Sequence, residues 1–187
     1  MNESDWAVRR SSRLLTFDAF CDTHERAWSG IARARLGDED EARRVVERAK
    51  DRMWQRWAWI LRQQVPAFHA WTLLKEEIGA ALAEAMIRAE YRPRPATVPG
   101  WVVAVRRSAA RTLDLVEAQG SHEELYAAIR RLSERRHDVV VLRYLVDLPD
   151  SVIADYLGMT EANVRSTATQ ALDRLAVALG GRRGGQR

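Results

Sequence analysis

Four polar side chains, Asn163, Arg165, Ser166 and Thr169, recur on one side of the stretch TEANVRSTATQ and offer amide, guanidinium and hydroxyl groups together. Those groups can contact base edges and phosphates in the major groove of a duplex. Thr160, just ahead, is a residue type that caps a helix, and Arg174 adds a second cation further along. The other chemistry-bearing spacings are sparse. Glu134 and His137 form Glu-x-x-His, half of a di-iron bundle motif whose second half is missing from the sequence. Cys21 and His24 stand three apart, but two ligands do not fill a tetrahedral zinc shell. His69 and His122 stand alone, no nucleophile has a base beside it, and no glycine-rich phosphate loop exists. The adjacent Glu76 and Glu77 point apart on a helix and are expected on a solvated face. Neither an enzyme, a metal site nor a cofactor site is expected.

A helix-turn-helix would present the first group of residues. In DSVIADYLGMTEANVRS, Ile153 and Leu157 fall at buried positions of a first helix, and Ala154 is the small residue where two helices meet. Gly158 suits a left-handed turn, Met159 plugs it, and Val164 points inward from the second helix. Upstream, Ser121 and Glu124 have the spacing of a capping box for the helix LYAAIRRL, and Ser133 opens ERRHDVVVLRYLVD. The run DVVVLRYLV is too isolated to pair as a strand and fits a buried helix.

The first half is also helical by apolar spacing. Thr16 is expected to cap a helix lined by Phe17, Phe20, His24, Trp28, Ile31 and Ala32 and stopped by Gly37. A second helix carries Val45, Val46, Ala49, Met53, Trp57, Ile60 and Leu61, and Pro66 resets the chain. A third carries Phe68, Trp71, Leu74, Ile78, Leu82 and Met86. Trp28, Trp54, Trp57, Trp59 and Trp71 are expected in the core or at its boundary. YRPRPATVPG interrupts with three prolines and a glycine, and a short helix with Trp101, Val105, Ala109, Leu113 and Val116 inward follows it. The expected fold is all-α: a helical unit over 14–90, a linker over 91–120, a helix-turn-helix unit over 121–180 and a basic tail over 181–187.

Composition allows this, with 47% hydrophobic residues in 187. Net charge is +4 and the pI about 9.7; among the basic residues only Lys50 and Lys75 are lysine, and arginine suits planar anionic partners. Residues 1–90 balance 15 basic against 15 acidic groups, and 91–187 set 15 against 11. Residues 121–180 alone hold 7 basic and 9 acidic groups, so the surplus lies in the linker and tail and a nucleic-acid footprint is modest. One cysteine excludes an intramolecular disulfide, and no segment nears the roughly 18 apolar residues of a membrane span. A cytoplasmic protein with no membrane partner is expected.

LYAAIRRLSERRHDVVVLRYLVDLPDSVIADYLGMTEANVRSTATQALDRLAVALG resembles region 4 of the sigma-70 family, in the small extracytoplasmic-function (ECF) group common in actinobacteria. Its most specific parts are LSERRHDVVVLRYL and IADYLGMTEANVRS. FDAFCDTHERAW, RARLGDEDEARRVVERA and AFHAWTLLKEEI resemble region 2 of that group in degenerate form, and PGWVVAVRRSAAR, with Trp101, Arg106, Arg107 and Ser108, offers a second register. The resemblance implies a transcription initiation factor with promoter DNA, core RNA polymerase and an anti-sigma factor as partners. It implies DNA contacts from Thr160, Asn163, Arg165, Ser166, Thr169 and Arg174, and polymerase contacts from Arg43, Arg44, Glu47 and Arg48. Arginines 43, 44 and 48 stand where that group carries acidic residues and a glutamine, and Glu76, Glu77, Gly79 and alanines follow Trp71 where it carries basic, asparagine and aspartate groups. In the recognition helix, Thr167, Thr169, Gln170, Leu172 and Asp173 stand where basic side chains are common. Two alternatives are a sigma-like regulator that no longer binds polymerase or melts promoters, and a protein-interaction module for an anti-sigma-type partner.

Overall fold

A computed structural model describes the backbone of residues 3–89 and 122–180 and the side chains of 12–87 and 124–179. All regular structure among the described residues is helical, as the apolar spacing requires. The chain divides into two compact units, Met1–Glu90 and Tyr91–Arg187. The helix expected after Trp101, the second register there, and Ser121 of the capping box lie outside the described residues.

In the first unit α1 (Glu3–Leu36), α2 (Glu39–Ile60) and α3 (Pro66–Ala89) each pack against the other two. Gly37, at φ 74°, ends α1, and Asp38 caps α2 by accepting a 2.7 Å bond from the Glu41 amide. Pro66 opens α3 at the position where its missing N–H costs nothing. The core joins Trp28 and Ile31 of α1, Val45, Ala49, Met53, Trp57 and Ile60 of α2, and Trp71, Leu74 and Ile78 of α3. Phe17 and Phe20 close on the Trp57 ring at 5.2 and 4.9 Å.

Several expectations are corrected. Thr16 caps nothing, because α1 begins thirteen residues earlier, at Glu3. Its hydroxyl donates to the Arg13 carbonyl at 3.0 Å and accepts from Trp57 Nε1 at 3.2 Å, so it pins α1 to α2. Leu61 follows the last residue of α2 and is exposed, as is Phe68 at the start of α3. Burial on α3 fades after Ala81, leaving Leu82 half-buried and Met86 75% exposed. Trp59 is 47% exposed, with its ring in an edge contact with His69 at 4.9 Å.

Glu76 and Glu77 are not a free solvated face. Arg52 of α2 donates to Glu76 at 2.6 Å and to Glu77 at 2.9 Å, and Arg48 adds a 3.1 Å bond to Glu77. A guanidinium fork is wide enough to serve two neighbouring carboxylates that diverge from one helix. The bonds to Glu76 and then Glu77 raise the Arg52 pKa above its ordinary value.

In the second unit α4 is His122–Arg130 and α5 is Glu134–Val140. Ser133 stands at the N-cap of α5, though its side chain makes no capping bond. The helix runs on from α5 as a π turn, Val141–Leu145, closed by the Val146 amide on the Val141 carbonyl at 3.0 Å. After a break at Asp147, whose φ is 63°, come α6 (Asp150–Leu157) and α7 (Glu161–Gly180). Leu125 and Ile129 of α4 share one core with Val140, with Tyr144 of the π turn, and with Ala171, Leu172 and Leu175 of α7.

Gly79 sits within α3, and a Cβ there would meet nothing within 4 Å. Gly79→Ala is therefore expected to stabilise the first unit by about 0.5–1 kcal/mol, through helix propensity alone. Urea unfolding followed by tryptophan emission, which comes mainly from this unit, should show a raised midpoint with an unchanged slope.

Candidate nucleic-acid interface

Two short helices meet at a left-handed residue. Pro149 precedes α6 in an extended conformation, and α6 ends at Gly158 with φ 59° and ψ 45°. The amides of Gly158 and Met159 both donate to the Ala154 carbonyl, the second at 3.0 Å. Orphan acceptors at the helix end are satisfied in this way. Thr160 then caps α7, its Oγ1 accepting from the Asn163 amide at 3.2 Å. Ile153, Ala154 and Val164 are buried at the crossing, while Leu157 and Met159 are half-buried. All six hinge residues singled out from sequence stand in this hairpin, with Leu157 half-buried where full burial was expected.

Val164, Ala168, Ala171, Leu172 and Leu175 form the buried stripe of α7. Asn163, Arg165, Ser166, Thr169 and Arg174 are all exposed. Arg165 and Arg174 are nine residues apart, about 180° around a helix, and so flank the face centred on Ser166. Leu172 belongs to the core cluster, so no DNA-facing role for it follows from its place in the sequence. Thr169 donates its hydroxyl to the Arg165 carbonyl at 3.1 Å, which leaves its oxygen outward as an acceptor.

Tertiary structure adds residues that spacing did not select. Arg136 of α5 donates to Gln170 at 3.1 Å and lies 3.4 Å from the Ser133 hydroxyl, and Gln170 reaches Ser166 at 3.4 Å. This row extends the exposed face of α7 toward α5. Arg143 and Arg165 both approach Asp150, at 3.5 and 3.8 Å, and Arg165 also lies 3.5 Å from Glu161. No sequence signal marks these pairs except Glu161 and Arg165, at the i,i+4 spacing of helix ion pairs.

A polar helix face held off a core by a glycine-turned hairpin is the architecture that inserts into a groove. Residues 122–175 match the family model described as Sigma-70, region 4. That match covers most of the second unit and none of the first, and what it describes is a DNA-binding segment of transcription factors, not an enzyme. No curated protein and no solved structure matches the chain.

The remaining candidates lie on α1, α2 and α5. Arg43, Arg44, Glu47 and Arg48 are exposed on α2, and each has an ionic neighbour: Asp40 at 3.1 Å, Glu41 at 2.6 Å, Lys50 at 3.0 Å and Glu77 at 3.1 Å respectively. His137 is buried with its Nδ1 3.6 Å from Asp138, and Glu134 is exposed. No group of three metal-ligating side chains occurs among the described residues. Cys21 and His24 both lie on α1, the cysteine buried. Burial pushes the Cys21 thiol from 9.0 up to about 11, and burial lowers the His24 pKa, its ring being packed against Phe20 and Trp28 at 4.3 and 5.7 Å.

The Cys21 shift gives a pH signature. The folded state keeps the thiol protonated to about pH 11, whereas the unfolded chain ionises near 9.0. The stabilisation is thus fully present below pH 9.0 and is lost as pH rises toward 11. A thiol-reactive disulfide reagent at pH 8 should leave native Cys21 untouched and label it within minutes in denaturant. In Cys21→Ala the fall of stability above pH 9.0 should be shallower than in the parent.

Proposed function

We propose that the chain is a sigma-type transcription initiation factor of the ECF group. Residues 121–180 bind promoter DNA through α7, residues 14–90 serve as a region 2-like unit that docks on core RNA polymerase, 91–120 link the two, and 181–187 form a basic tail. The observation that carries this reading is the region 4 match over a hairpin whose exposed face gathers Asn163, Arg165, Ser166, Thr169 and Arg174. Thr160 contributes by fixing the start of that helix. Cytoplasmic placement belongs to the same proposal; no described helix is long and apolar enough to cross a membrane.

Two observations favour narrower readings. Arginines 43, 44 and 48 occupy the α2 surface assigned to the polymerase, and Glu76 and Glu77 are held by Arg48 and Arg52. A sigma-like regulator that binds DNA without engaging polymerase or melting a promoter would carry such a surface. Exposed Trp59, Leu61, Phe68, Met86 and Ile87 suit an anti-sigma-type protein partner.

Pull-down with core RNA polymerase separates the first two readings: retention of the chain supports the initiation factor, and its absence alongside DNA binding supports the regulator. Arg165→Ala should weaken duplex binding and reduce the slope of log affinity against log salt by about one. Unchanged affinity and slope in an electrophoretic shift series would refute a DNA-contacting α7 and leave the protein-interaction reading.

A further inference from the structure

Arg165 already has anionic company. Its Nη1 lies 3.5 Å from Glu161 Oε2 and 3.8 Å from Asp150 Oδ2, with the side chain 56% exposed. These are ion pairs longer than good hydrogen bonds, and exposed pairs of this kind hold weakly. Of the two acids, Asp150 is the more firmly fixed, its side chain being only 16% exposed. Asp150 sits in the first turn of α6, at the positive end of the helix, and its other oxygen faces Arg143 Nε at 3.5 Å. Glu161 sits in the first turn of α7, four residues ahead of Arg165, the favourable order for a helix ion pair.

We infer that Asp150 and Glu161 act as an internal substitute for a DNA phosphate, holding Arg165 so that a duplex must displace two carboxylates to take it. The inference rests on α7 being the DNA-contacting helix. A phosphate that takes Arg165 must first separate the guanidinium from both acids. Backbone contact alone is therefore discouraged, and binding depends more on the neutral contacts of Asn163, Ser166 and Thr169 with bases. Asp150 and Glu161 thus set specificity by lowering the sequence-independent affinity that Arg165 would otherwise confer.

The test is fluorescence anisotropy of the full chain with labelled random-sequence duplex DNA at low and physiological salt. Glu161→Gln, at an exposed side chain whose ion pair on α7 is with Arg165, should raise affinity about two- to fivefold. Asp150→Asn should act in the same direction, with a thermal melt confirming that α6 still folds. Both gains should shrink at higher salt and vanish in an Arg165→Ala background. A loss of affinity in Glu161→Gln would show that the acids orient the arginine for DNA, overturning the inference. A gain that persists undiminished with Arg165→Ala would assign it to long-range repulsion and also overturn it. Parent binding that Glu161→Gln leaves unchanged sinks this inference alone, whereas no binding by the parent or by either acid variant sinks the DNA-binding reading beneath it.

Discussion

A single backbone conformation, the left-handed turn at Gly158, decides what the second unit can present. A residue with a Cβ pays about 1–2 kcal/mol there, because the side chain crowds the following carbonyl. With glycine, α6 stops at Leu157, two amides close on the Ala154 carbonyl, and α7 starts at once under its Thr160 cap. The phase of α7 follows: Val164 drops between the helices, and the stripe through Ala168, Ala171, Leu172 and Leu175 continues into the core shared with α4 and α5. Asn163, Ser166 and Thr169 are outward because those five are inward.

Charge is the second organising theme, and it is spent mostly inside the molecule. The pI is about 9.7 and nearly all the cations are arginine, but the net charge is only +4. Arg43, Arg44, Arg48 and Arg52 face acids on α2 and α3, and Arg143 and Arg165 face Asp150. Guanidinium groups suit this arrangement because one fork can engage two carboxylates, as Arg52 does. The surface offered to an anionic partner is consequently less positive than a count of arginines implies.

Most helices and the hairpin were legible because local rules decide them: the 3.6-residue spacing from Val45 to Ile60, glycine at the αL position, threonine at a cap. What escaped depends on neighbours distant in sequence. Thr16 resembled a cap, yet the chain before it is helical and its hydroxyl is drawn to Trp57, 41 residues away. Met86 continued an apolar stripe that no described helix covers, and Leu172, standing where basic side chains are common in the resembled helix, is drawn into the core shared with α4. The π turn at Val141–Leu145 also left no trace in the apolar spacing, since it lies in a nearly unbroken apolar run from Val139 to Val146.

The junction of α2 and α3 is of two kinds, an apolar core to which Met53, Leu74 and Ile78 contribute and the ionic Arg48 and Arg52 forks. Stripping water from ions costs less as temperature rises, so the ionic half of this junction tightens relative to the rest on warming. Concentrated electrolyte does the opposite, shielding the forks while leaving the apolar half intact. Heat and brine therefore strain this helical hairpin along different edges.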